Sequence, residues 1–190
     1  MYPLVACSII SLTVILERTF FWIREDRRLN RALVDQVLEL ARLRKHEEIR
    51  KRTQGALDYV VKILVCGLVH REFSLSKAME MAALEEIRRM KKHLSILDTM
   101  ITAAPLLGIL GTVLGIIHSF DMLGSAGIQD PQAVTSGIAQ ALLTTAAGLF
   151  IAIFTLFPFN YFNSKVEKAR IRIEKYATSL EIVADGDGTA

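Results

Sequence analysis

The sequence predicts an all-α membrane protein, with three transmembrane helices and long helices that extend into a helical bundle on the cytoplasmic side. Three observations predict it. Of the 190 residues, 52% are apolar, which is high for a soluble domain. Three apolar segments, residues 1–23, 96–123 and 134–162, each approach or exceed the ~20 residues that carry a helix across a bilayer. Charge is also segregated. Residues 94–162 contain no Lys or Arg and only the acids Asp98, Asp121 and Asp130, whereas residues 24–92 contain 17 Lys or Arg. The net charge of +3 therefore reflects one basic region. No row of aromatic residues for base stacking accompanies it, so no nucleic-acid partner is expected.

The first span, residues 1–23, is interrupted by Glu17-Arg18. Neighbours in sequence do not share a helix face, so the two are expected not to face each other. They read as interfacial residues at the inner end of the span, with Arg18 snorkelling and Phe20, Phe21 and Trp22 forming an aromatic belt. The segment lacks a basic start and a small-residue cleavage site, so it reads as a retained span rather than a signal peptide.

Residues 24–95 form a polar insert that reads as helical. "RLNRALVDQVLELARLRKHEEIRKR" spaces Leu33, Val37, Leu40 and Leu43 by three and four, which predicts one amphipathic helix ended by Thr53-Gln54-Gly55. "ALDYVVKILVCGLVHREF" predicts a second helix. A third starts at Ser74–Ser76 and runs without a breaker into the second span. That continuity predicts one bundle rather than two domains.

The second and third spans, residues 96–123 and 134–162, are joined by a loop at 124–133, and residues 163–190 form a C-terminal helix and tail. At ~1.5 Å per residue the two spans reach roughly 42 Å, enough to extend into water. The insert and the tail, with Lys165, Lys168, Arg170, Arg172 and Lys175, carry the positive charge, and the 124–133 loop carries none. The positive-inside rule places insert and tail in the cytoplasm, and the N-terminus and the loop outside.

Cys7 falls in the membrane and Cys66 in the insert, so no disulfide is expected. His46, His70 and His93 are scattered along charged helices, and no Cys/His cluster has metal-ligand spacing. His118 precedes Asp121 by three residues near the outer end of span two. With no phosphate loop and no nucleophile motif, the chain does not read as an enzyme, and no cofactor is expected.

"PLLGILGTVLGIIHSF", residues 105–120, places Gly108, Gly111 and Gly115 on one face, though each interior Gly costs roughly 1 kcal/mol relative to Ala. In lipid, small residues return that cost by letting helix backbones approach. Gly137, Ala141, Thr144 or Thr145, Gly148 and Ala152 form a matching stripe on span three, and Pro105 is a candidate kink. Polar residues line the same region: Thr112, Ser136, Gln140, Thr144 and Thr145. A single Thr is accounted for by bonding its own helix. Four polar residues within residues 136–145, flanked by small ones, suit relay of a proton or a hydrated cation. Spans two and three hold no acid near their centre, so a complete path needs a carboxylate from another chain.

At these residues the sequence resembles the MotA/TolQ/ExbB proton-channel family, above all its ExbB/TolQ branch. "APLLGILGTVLGIIHSF" (104–120) and "GIAQALLTTAAGLFIAI" (137–153) carry the resemblance, with the weaker "ILERTFFW" ending span one. The resemblance implies a pentameric ring in the bacterial inner membrane. Spans two and three would line a pore holding the helices of an ExbD/TolR-like single-span partner, whose membrane aspartate binds the proton. It implies Thr112 and Thr145 as pore threonines, beside Thr144 and Gln140, with Gly108, Gly111, Gly115, Gly137 and Gly148 as packing residues. Proton or sodium flow would move the partner and act indirectly on a TonB- or TolA-like protein. Many relatives carry Glu where this chain has Gln140, which cannot titrate, and Phe154 stands where a proline often closes the span-three motif. Two readings from other classes stay open: a non-conducting membrane scaffold, and a passive channel without mechanical output.

Overall fold

A computed structural model describes residues 2–126 and 131–185. These residues form seven helices: α1 (Tyr2–Arg28), α2 (Arg31–Arg42), α3 (His46–Thr53), α4 (Tyr59–Val69), α5 (Arg71–Lys91), α6 (Leu94–Ala126) and α7 (Pro131–Asp185). No strand occurs among the described residues. Three of the helices, α1, α6 and α7, are long and apolar enough to cross a membrane. Helix α6 runs through Pro105 and α7 through Pro158 without interruption. The loop expected at 124–133 is helical at both ends, and its centre, 127–130, lies outside the described residues, as does the tail 186–190.

The chain divides into two compact units, residues 1–18 with 93–162, and residues 19–92 with 163–190. This corrects the expectation of one bundle. The continuous rod predicted from Ser74 into span two is broken at Lys92-His93, where His93 takes a left-handed φ of 65°. Neither residue is Gly or Pro, and the tendency of His toward left-handed backbone is only a weak warning of the break.

In the first unit, α1 buries Leu4, Cys7, Ser11, Val14 and Arg18, a stripe spaced by three and four. Glu17 and Arg18 do pair, contrary to expectation: Arg18 donates from Nε to Oε2 at 2.6 Å and from Nη2 to Oε1 at 2.5 Å. Both side chains are long enough to reach around the helix, and Arg18 is buried. His93 Nδ1 lies 3.3 Å from the same carboxylate.

In the second unit, the single amphipathic helix expected after residue 27 is two, α2 and α3, separated by a turn in which Arg44 takes φ 57°. The buried stripe of α2 is Val34, Val37 and Leu40, while Leu43 falls in the turn and is exposed. Asn30 caps α2 by accepting from Leu33 N at 3.1 Å. Asp58 caps α4 through Val60 N at 2.8 Å, and its other oxygen accepts from Asn30 N at 2.7 Å, tying two helix starts together. Ser74 interrupts α5 with extended backbone and accepts from Lys77 N, which places the start of the longer part of that helix where the sequence suggested. Glu25 is buried and is held by Arg89 at 2.7 Å, with Arg28 at 3.9 Å.

Candidate ion-relay site

The first unit is built on close approach between α6 and α7. A Cβ added to Gly108 would lie 3.0 Å from the Thr144 carbonyl oxygen and from Thr145 Cα. At Gly111 it would lie 2.6 Å from Thr144 Oγ1, and at Gly115 2.6 Å from Ala141 Cβ. The stripe on α7 answers in kind. A Cβ on Gly148 would lie 2.5 Å from the Ala104 carbonyl oxygen, and one on Gly137 would overlap the Ser119 hydroxyl. Backbone blocks a Cβ outright at Gly148, and at the other four positions an added Cβ forces a neighbour to shift, so the five glycines let the two helices approach closely.

That spacing brings three hydroxyls onto two carbonyls. Thr112 Oγ1 lies 3.1 Å from Gly108 O and 3.2 Å from Ala141 O. Thr144 Oγ1 lies 2.7 Å from Ala141 O and 3.2 Å from Gly108 O. Thr145 Oγ1 donates to Gly108 O at 3.0 Å, and the Thr112 and Thr145 hydroxyls touch. Thr112 and Thr144 each retain a bond within their own helix, the ordinary habit of Thr in an apolar helix. Thr145 differs: both of its hydroxyl contacts, to Gly108 O and to Thr112, cross to α6.

The chemistry of this knot follows from counting hydrogens. Each hydroxyl has one hydrogen to donate and can accept as well. Thr112 can donate to Thr145 while Thr145 donates to Gly108 O. Reversed, Thr145 donates to Thr112 while Thr112 donates to Ala141 O. Two opposite polarities fit the same heavy-atom positions, which is what a relay of protons between hydroxyls requires. The knot cannot store charge. Residues 99–117 and 131–160 contain no Asp, Glu, Lys, Arg or His. Among the described residues no group of three His, Cys, Asp or Glu side chains is placed to hold a metal ion.

Gln140 stands apart from the knot: it is exposed on α7, as is Ser136, although Thr144 lies only one turn further on. His118 is exposed as well. Two buried hydroxyls on α6 and α7 were missed from sequence. Ser119 is 2% exposed, bonds Gly115 O at 2.9 Å and faces Gly137. Thr155 is fully buried and bonds Ile151 O at 2.7 Å. Ser119 continues the stripe of Gly108, Thr112 and Gly115 at helical spacing, and Thr155 continues that of Ala141, Thr144, Gly148 and Ala152, so extending each stripe by one turn would have found them.

A family model described as the MotA/TolQ/ExbB proton channel family matches residues 54–175, which include the whole knot. The chain belongs to this family. Its ExbB/TolQ character is seen in its relatives. It is 36% identical over 188 residues to the putative biopolymer transport protein ExbB-like 3 of Synechocystis, covering 95% of this chain and 88% of that one. It is 34% identical over 190 residues to ExbB-like 1 of the same organism, covering 96% and 74%. It is 38% identical over 90 residues to the Tol-Pal system protein TolQ of Haemophilus influenzae, covering 47% and 40%. The resemblance read from residues 104–120 and 137–153 thus holds across most of the chain, and this is a membrane protein of a proton-channel family.

Proposed function

We propose that this ExbB/TolQ-type subunit forms a pentameric ring in the bacterial inner membrane around the helices of an ExbD/TolR-like single-span partner. In this reading α6 and α7 line the pore, with the N-terminus periplasmic and the C-terminus cytoplasmic. The observation that carries it is a reversible hydroxyl knot at Thr112, Thr144 and Thr145 with no acid beside it. Such a site can hand a proton from one hydroxyl to the other but ends on carbonyls that neither take it up nor release it, so a partner carboxylate has to supply both steps. Gln140, exposed on the same helix one turn from Thr144, is positioned to meet the partner or a water without titrating. The ion would move the partner within the ring, and a TonB- or TolA-like protein would receive that motion across the periplasm.

The test is the native mass of the complex in lipid, alone and with an ExbD/TolR-like protein from the same genome, followed by proton and sodium flux in vesicles. Five copies that gain two of the partner, with flux only when both are present, support the reading. A monomer or dimer that gains no partner overturns it.

A further inference from the structure

The second unit carries a cleft of about 330 Å³ lined by Arg31, Lys168, Ile171, Arg172, Lys175 and Tyr176. Four of these six residues are cations and none is an acid. The volume is at the lower end of the roughly 300–1,000 Å³ of small-molecule sites. The cationic lining is a consequence of helical spacing. On α7, Lys168, Arg172 and Lys175 recur at four and three residues and share one face, and Tyr176 follows Arg172 by one turn. Glu167, Glu174 and Glu181 recur at seven and share a different face. Arg31, the first residue of α2, adds the fourth charge from another element.

On α7 the other two basic side chains pair with carboxylates, Lys165 with Asp26 at 2.6 Å and Arg170 with Glu174 at 3.2 Å. Arg31, Lys168, Arg172 and Lys175 make no salt bridge among the described residues. Asp58, next to the buried Tyr59, uses both carboxylate oxygens on the backbone amides of Val60 and Asn30. Arg172 donates instead to the Tyr59 hydroxyl at 3.3 Å, which anchors its guanidinium at the cleft. Four like charges gathered in one concavity repel one another and focus a positive potential on the space between them. A solvated basic face would spread these charges or interleave them with acids, as the rest of α7 does.

We infer that this cleft binds a multiply charged phosphate group, with Lys168, Arg172 and Lys175 from α7 and Arg31 from α2 as its ligands. A carboxylate brings one negative charge, whereas a phosphate monoester brings about 1.5 to 2 and a diphosphate more, which matches four cations. Arg31 and Arg172 offer planar forks suited to paired phosphate oxygens, and the lysines offer point charges. Tyr176 supplies an aromatic wall. The phosphate has two sources, a soluble diphosphate compound or the headgroup of an anionic lipid.

The full chain in nanodiscs of neutral phosphatidylcholine would be titrated with pyrophosphate by calorimetry, at low and high salt. Saturable, salt-weakened binding is expected. The double variant Lys168→Gln/Lys175→Gln, which breaks no salt bridge and only the contact of Lys175 with the Tyr176 ring at 5.6 Å, is expected to bind at least about tenfold more weakly. Lys45→Gln/Arg170→Gln, with the same change in net charge, is expected to bind within about twofold of wild type. Nanodiscs containing anionic phospholipid separate the sources: competition with pyrophosphate supports a headgroup, and undiminished binding supports a soluble phosphate. Three outcomes overturn the assignment: no saturable binding, equal loss in both double variants, or binding of a polyglutamate peptide without binding of pyrophosphate or anionic lipid.

Discussion

Replacing Gly148 by Ala tests whether backbone contact between α6 and α7 holds the membrane unit together. The added Cβ would sit 2.5 Å from the Ala104 carbonyl oxygen and 3.2 Å from Gly108 Cα. Both obstacles are backbone, so no rotamer change relieves them. Ordinary contact begins at 3.4 Å, and relief therefore needs a local separation of 3.4 − 2.5, about 0.9 Å. Overpacking of this kind costs about 1–3 kcal/mol, and a backbone obstacle puts this case at the upper end. Ala in place of a helical Gly returns about 1 kcal/mol. The net expectation is a loss of about 2 kcal/mol. The same separation would stretch the 3.0 Å bond from Thr145 to Gly108 O to about 3.9 Å, beyond hydrogen-bond reach. Unfolding free energy in mixed micelles of a mild and a denaturing detergent reads the first effect, and partner-dependent flux the second. If Gly148→Ala is as stable as wild type or more so, the packing argument is wrong, because only the propensity gain would have survived.

Three further outcomes are expected. Thr145→Ala should abolish partner-dependent flux with the oligomer intact, since it removes the hydroxyl that bonds across to α6; Thr112→Ala should do the same, and normal flux in both variants would remove these residues from the path. Arg89→Met should destabilise the second unit by about 2 kcal/mol, because Glu25 is buried and would keep only Arg28 at 3.9 Å; chemical unfolding measures it, and an unchanged midpoint refutes it. Burial, then the charges of Arg71 and Arg44, hold His46 below the usual histidine range. A depressed folded value means that its stabilising contribution is present above about pH 6.5 and is lost as pH falls through the folded value. Stability of His46→Gln should therefore fall less between pH 7 and pH 5 than that of wild type, and identical slopes would count against this placement of His46.

Legibility from sequence depended on whether the signal was periodic. Gly108, Gly111 and Gly115 could be read because spacing of three and four leaves only one face for them, and a membrane offers small residues one main use. The Thr cluster could be read for the same reason, but its membership was blurred. Gln140 precedes Thr144 by one turn yet is exposed, because it lies at the edge of the stripe rather than on it. Breaks without Gly or Pro could not be read. Arg44 and His93 adopt left-handed backbone that divides what the pattern read as continuous helix; His enters that region more readily than most residues, but a lone His inside a helical pattern is too weak a signal to place a break. Leu43 shows the consequence, since the turn at Arg44 removes it from the stripe to which its spacing assigned it. The pairing of Glu17 with Arg18 was missed because face geometry was applied to Cβ positions, whereas two long side chains meet at their tips.

The glycines and the threonines are one device rather than two. Three hydroxyls can converge on the carbonyls of Gly108 and Ala141 only if the helices lie closer than ordinary side chains permit. The missing side chain of Gly108 opens that carbonyl to Thr144 and Thr145 from the other helix. Packing in this part of the membrane unit therefore sets which hydrogen-bond polarities the three hydroxyls can adopt. A substitution that widens the gap should lower flux without touching a hydroxyl, and one that removes a hydroxyl should lower flux without widening the gap. That asymmetry separates a conducting subunit from a scaffold. In a scaffold the hydroxyls would only reinforce packing, so losing Thr145 would show as lost stability and nowhere else.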